Sequence, residues 1–128
     1  MKNSKSKVID KIKKILSNKD IETHIDQLLK LEKQFPNDEV IKQAISQAYL
    51  RRNENTKALE YINLANEISP KNYAIKYNLG MMYKKFKKFD EAISFFKESI
   101  VLNREFKEGF NILGDIFYNK KDYQVSVS

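Results

Sequence analysis

One imidazole, His24, and 17 carboxylates make up the acid–base chemistry of this 128-residue sequence, and no cysteine accompanies them. Without thiols there is no disulfide, no thiolate metal site and no cysteine nucleophile. His24 has no second histidine with which to share a metal, and the carboxylates are scattered with no H-E-x-x-H pattern. The three glycines, Gly80, Gly109 and Gly114, all lie in stretches with helical apolar spacing, so none belongs to a phosphate-cradling loop. No catalytic, cofactor-binding or metal residue is therefore assigned, no cofactor is expected, and His24 reads as structural. What remains is the chemistry of recognition: amides, tyrosines, methionines and basic groups held on a scaffold.

That scaffold reads as helical. With only 3 Gly and 2 Pro, 41% hydrophobic and 32% charged residues, the composition suits a folded helix-rich chain better than tightly turned strands or disorder. Apolar residues recur at helical spacing over 5–16, 21–34, 39–52, 56–68, 72–86, 90–102 and 105–118, and an eighth helix is expected from Asp122. Asp20 is placed to cap the second helix, while Pro36 and Pro70 end the second and fourth.

The helices repeat every 34 residues. Ile45, Leu79 and Leu113 keep that step, as do Ser46, Gly80 and Gly114, and then Tyr49, Tyr83 and Phe117. Ala58, Ala92 and Ser126 follow it on the second helix of each pair, with Ile62 matching Phe96 and Pro36 matching Pro70. Small residues at Ser46, Gly80 and Gly114 are expected where paired helices cross closely, and Tyr83, Ala92 and Phe96 where neighbouring pairs meet.

The stretch Leu79-Gly80-Met81-Met82-Tyr83, followed by Ala92 and Phe96, resembles the tetratricopeptide repeat, whose W-x-x-L-G-x-x-Y…A-x-x-x-F…P pattern has the same period. The resemblance covers nearly the whole chain: a divergent hairpin over 5–36, repeats at 37–70 and 71–104, and a shortened one at 105–128. In the first unit Ile12, Ile15 and His24 stand where Gly80, Tyr83 and Ala92 stand in the best one. Lys42 and Lys76 occupy the tryptophan slot, where long stems can still cover apolar surface, and Phe110 alone fills it with an aromatic.

The resemblance implies an all-α fold, a single domain over 1–128 built as a right-handed superhelical solenoid of about three and a half stacked antiparallel helix pairs. It also implies a protein-interaction scaffold without catalysis, binding a peptide or helix of a protein partner on the concave face lined by first helices. The family's inward slots fall on Gln43, Ala44, Gln47 and Leu50, on Tyr77, Asn78, Met81 and Lys84, and on Asn111, Asp115 and Tyr118. One branch of the family clamps a terminal carboxylate; Asn78 fits its Asn slot, but Gln43, Gln47, Glu108 and Ile112 replace its basic groups, which disfavours the clamp.

The formal net charge of +7 is concentrated in 3–36 and 71–104. Arg51, Arg52, Lys84, Lys85, Lys87, Lys88, Lys120 and Lys121 fall where each hairpin turns, an edge that reads as a solvated rim before an adaptor for acidic protein, nucleic acid or a membrane surface. The basic amphipathic helix at 5–16 lacks an aromatic anchor, so it reads as a polar-faced cap and not a membrane-surface helix. Nucleic acid and membrane are both disfavoured as partners. With no apolar run for a signal peptide or a membrane span, a cytoplasmic protein is expected. An alternative is the N-terminal repeat segment of a longer enzyme such as a transferase. Self-association through the C-terminal end is expected, because Phe110, Leu113 and Phe117 have little to cover them.

Overall fold

The computed structural model describes residues 4–127, with side chains described over 5–118. Among the described residues there are seven helices and no strand: α1 (Ser4–Leu16), α2 (Glu22–Gln34), α3 (Glu39–Arg51), α4 (Asn55–Ile68), α5 (Tyr73–Lys85), α6 (Phe89–Leu102) and α7 (Lys107–Val127). The chain forms two compact units, Met1–Pro70 with α1–α4 and Lys71–Ser128 with α5–α7.

In the first unit α1 lies against α2 and α3, α2 against α3, and α3 against α4. The apolar stripes that made these segments helical are the ones buried: Ile25, Leu28 and Leu31 on α2, Ile41, Ile45 and Ala48 on α3, Ala58, Ile62 and Ala65 on α4. Val8 and Ile12 are buried too, so the apolar face of α1 is used within this unit. In the second unit α5 packs on α6 and α6 on α7, around Ile75, Leu79, Met82, Ala92, Phe96, Leu113 and Ile116.

The 34-residue step extends to the backbone. Asp38 caps α3 by accepting at Oδ1 from the Val40 and Ile41 amides, at 2.8 and 3.0 Å, and Asn72 caps α5 through the Ala74 and Ile75 amides, at 2.9 and 3.3 Å. The turns of the α3–α4 and α5–α6 pairs are each closed by a residue in the left-handed region, Asn53 at φ 59° and Lys87 at φ 62°. The next amides, of Glu54 and Lys88, donate back to the Tyr49 and Tyr83 carbonyls, at 3.0 and 2.9 Å. At the helix ends Phe35, Ser69 and Asn103 share φ near −135° (−133, −132 and −139°), although only the first two precede a proline. Asp20 accepts from the Glu22 amide at 3.1 Å, as a cap should, with one residue, Ile21, between it and α2.

One expectation is corrected. The turn and eighth helix placed around 119–128 are not formed: α7 runs unbroken to Val127. The two genuine turns are followed by helices with an i, i+4, i+7 stripe (Ala58, Ile62, Ala65 and Ala92, Phe96, Ser99) that pulls the chain back onto its partner. After Asp122 the apolar residues Tyr123, Val125 and Val127 alternate instead, so no such stripe draws the chain into a turn.

Asp38 also anchors α1, since Lys5 Nζ donates to Asp38 Oδ2 at 3.0 Å and to Glu39 Oε1 at 2.6 Å. Burial opposes the charge on Lys5, but these two partners outweigh it and raise its pKa. Replacing Asp38 with Ala is expected to lower stability by about 1–2 kcal/mol, almost all from the lost cap, because the half-exposed ion pair contributes little. Urea titration checks this against Asp38→Asn, which keeps the cap; equal midpoints for the two variants would remove the cap as the cause.

Candidate functional site

Each first helix has two working faces, and the structure separates them. One face closes the helix pair. On α3, Ser46 is fully buried and its hydroxyl donates to the Ala58 carbonyl at 2.7 Å. Tyr49 meets Tyr61 at a ring distance of 5.8 Å, and Lys42 pairs with Glu32 while lying 5.7 Å over the Tyr61 ring. Burial, reinforced by the Glu32 carboxylate, pushes the Tyr61 phenol above its usual range. On α5 the same positions are Gly80, Tyr83 and Lys76. A Cβ on Gly80 would stand 2.6 Å from the Phe96 ring, Tyr83 stacks on Phe95 at 5.4 Å and 15°, and Lys76 reaches Glu98 at 3.6 Å. The lysines in the tryptophan slot do cover apolar surface: their side chains are only 12% and 13% exposed. Phe96 and Tyr83, expected between neighbouring pairs, mainly pack inside their own, because Gly80 leaves room for the ring; Phe96 and Ala92 also join Leu113 and Ile116 of α7 in one cluster.

The other face carries the recognition candidates. On α3, Gln43, Ala44, Gln47 and Leu50 line up at i, i+1, i+4 and i+7 and are half-buried. On α5, Tyr77, Asn78 and Lys84 are half-buried and Met81 is 38% exposed. On α7, Asn111 and Asp115 are exposed, and Tyr118 is 68% exposed. Tyr77 differs from the others: its ring packs edge-on against Phe106 at 4.9 Å and 87°, and tilted against Phe96 at 5.5 Å. Phe106, which sequence reasoning passed over, also takes the Tyr73 ring at 4.9 Å. Its signal was available, since Phe106 stands in the slot where Asp38 and Asn72 cap their helices.

The remaining sequence candidates fall elsewhere. His24 is buried, and its Nε2–H donates to the Asn18 carbonyl at 2.7 Å, a structural contact between the α1–α2 turn and α2. Arg51, Arg52, Lys84, Lys85, Lys87 and Lys88 do flank the two turns, with Arg52 held by Glu54 at 3.1 Å. Lys120 and Lys121 lie within α7 and at no turn, and their side chains are outside those described. No group of three or more metal-binding side chains occurs among the described residues. Nor is any helix among them long and apolar enough to cross a membrane.

The family model for the tetratricopeptide repeat matches residues 41–72 and 73–106, together just over half the chain. The chain belongs to the tetratricopeptide-repeat family. No curated protein sequence matches it. Among solved structures, the first TPR of Spaghetti (RPAP3) bound to HSP90 peptide SRMEEVD is similar at TM-score 0.78 and 20% identity, over 89% of this chain and 90% of that one. MamA is similar at TM-score 0.78 and 17% identity, over 93% of this chain and 70% of that one. At such identities the likeness speaks to the fold, an all-helical one. Within the repeats, the family's small position is filled by Ser46 and Gly80 with a demonstrable packing partner each, and by Gly114 with none within 4 Å. Gly114 was expected at a helix crossing; no second helix follows α7 among the described residues to make one.

Proposed function

We propose that this chain is a protein-interaction module without catalysis of its own, taking an extended peptide or a helix of a protein partner on the faces of its first helices that hold the family's inward slots. Family membership supports the class, and the neighbour solved with a bound peptide supports the kind of ligand. The observation that carries the reading is the face of α5. There Met81 is 38% exposed between Asn78 and Lys84, while Ile75, Leu79 and Met82 on the opposite side are buried. A flexible thioether flanked by an amide and an ammonium group suits an apolar side chain with a polar or acidic neighbour. Asn111, Asp115 and Tyr118 on α7 extend this set within the second unit, and Gln43, Gln47 and Leu50 form a counterpart on α3. Tyr77 contributes mainly by fixing the surface, being engaged with Phe96 and Phe106.

The neighbour's ligand is not carried over. Gln43, Gln47, Glu108 and Ile112 give no cation for a terminal carboxylate at the positions that such a clamp needs. Selection from a displayed random-peptide library on the 128-residue chain tests the reading. Enriched peptides are expected to bind saturably, and Met81→Glu to weaken them about tenfold or more, ~1.4 kcal/mol. Peptides indifferent to Met81→Glu, or no enrichment at all, would remove this face as the site.

A further inference from the structure

The α3–α4 and α5–α6 turns share a backbone and differ in charge. Asn53 and Lys87 hold the left-handed position, and Glu54 and Lys88 follow them, each pair 34 residues apart. In the first unit Glu54 neutralises its surroundings, reaching Arg52 at 3.1 Å and Lys57 at 3.8 Å. Lys88 takes that carboxylate's place in the second unit, where Lys84, Lys85, Lys87 and Lys88 form no ion pair among the described residues. Lys76, by contrast, is held by Glu98. Lys84 and Lys85 suit the C-terminal dipole of α5, but Lys87 and Lys88 lie beyond that helix. Lys87 also adopts a backbone that favours glycine or asparagine, in a run of like charges. Local stability is therefore served by neither lysine of the turn. Asp90 and Glu91 follow in the first turn of α6, where they suit the N-terminal dipole of that helix.

We propose that this turn is an electrostatic docking surface for a run of aspartate or glutamate side chains in the protein partner, adjoining the residue that the partner seats on Met81. The inference rests on the peptide-binding reading above and names the chemistry of that peptide. Lys84 and Lys85 stand three and four residues past Met81, one helical turn onward on the same side of α5. At about 1.5 Å per residue, Met81 lies about 6 Å from the end of α5, a span that about two extended residues cross. An acidic residue two or three places from the apolar one therefore reaches Lys84 and Lys85, and those beyond it reach Lys87 and Lys88. Lys85, Lys87 and Lys88 are exposed, so their field acts on an approaching acidic segment and raises its rate of association more than it tightens any one contact. The carboxylates in question are side-chain ones, and no clamp for a terminal carboxylate is involved. The patch is one turn wide, and the equivalent slot in the first unit holds Glu54, so the charge does not form the repeated stripe that tracks a phosphate backbone.

Fluorescence anisotropy on the full chain tests this, with a labelled peptide in which a leucine is followed by a run of glutamates. The peptide is expected to bind saturably at low salt, about tenfold more tightly than its glutamine counterpart, and to weaken about tenfold as sodium chloride rises from about 50 to 500 mM. Lys87→Asn combined with Lys88→Glu copies the Asn53-Glu54 turn, which this fold already accommodates. That double variant should weaken the glutamate peptide about tenfold or more and leave both the glutamine peptide and the helical circular dichroism unchanged. No binding of the glutamate peptide, equal affinity for the two peptides, or undiminished affinity on the double variant overturns the inference. So does tighter binding of polyuridylate or of phosphatidylserine vesicles at the same salt, since the surface would then serve another polyanion. Library peptides that depend on Met81 yet ignore the double variant would overturn the acidic run alone and leave the peptide-binding reading standing.

Discussion

Phe96→Ala is expected to destabilise the second unit by about 3–5 kcal/mol, in the range for deleting a fully buried aromatic side chain. Phe96 has no exposed surface, covers Gly80, lies 5.5 Å from the Tyr77 ring and belongs to the cluster that joins α6 to α7 through Leu113 and Ile116. Collapse into the resulting cavity is resisted from one side, because the wall there is the backbone of Gly80 and offers no side chain to move in. Urea unfolding followed by circular dichroism gives the measurement. A loss under about 1 kcal/mol would mean that Phe96 is not the centre of this core.

Gly80→Leu approaches the same contact from the opposite side. The first added carbon would stand 2.6 to 2.9 Å from three atoms of the Phe96 ring, closer than carbon atoms pack, and the ring is fully buried with nowhere to swing. A cost of about 3 kcal/mol is expected, the upper part of the overpacking range, with a fall in melting temperature of roughly 10 °C. Gly114→Leu is the matched control: its Cβ meets nothing within 4 Å, so at dilute concentration the helix should gain slightly from losing a glycine. Combining Gly80→Ala with Phe96→Leu should cost much less than the two single losses added together, because the two residues share one space. Equal thermal midpoints for wild type and Gly80→Leu would mean that α5 and α6 do not cross at this residue.

Much of this arrangement was legible in the sequence because it is repeated. A small residue, an aromatic and a helix-ending proline that keep one period identify a helix pair without any structure, and Gly80 could be placed at a crossing on that ground alone. The lysines in the tryptophan slot were also readable as apolar stems. What was not legible depends on partners that the period does not specify. Gly114 matches Gly80 in register, yet its role depends on a following helix, and α7 continues instead of turning. Tyr77 falls in one of the family's inward slots, yet Phe106 draws its ring into packing. The left-handed turns at Asn53 and Lys87 are not marked in the sequence by a glycine, the residue that usually announces that backbone. The recognition candidates are what the resemblance to the family implies, whereas the exposure of each, Met81 above all, depends on its neighbours in the fold.

The recurrence of backbone joints has a kinetic consequence. The turn at Lys87 is closed by amides that reach back three and five residues, to Lys84 and Tyr83, and the hydrogen bond from Ser99 Oγ to the Tyr73 carbonyl spans 26. Contacts this near in sequence lower the entropy lost in loop closure, and chains of low contact order fold quickly. Each helix pair can therefore close soon after its second helix exists, without waiting for distant partners.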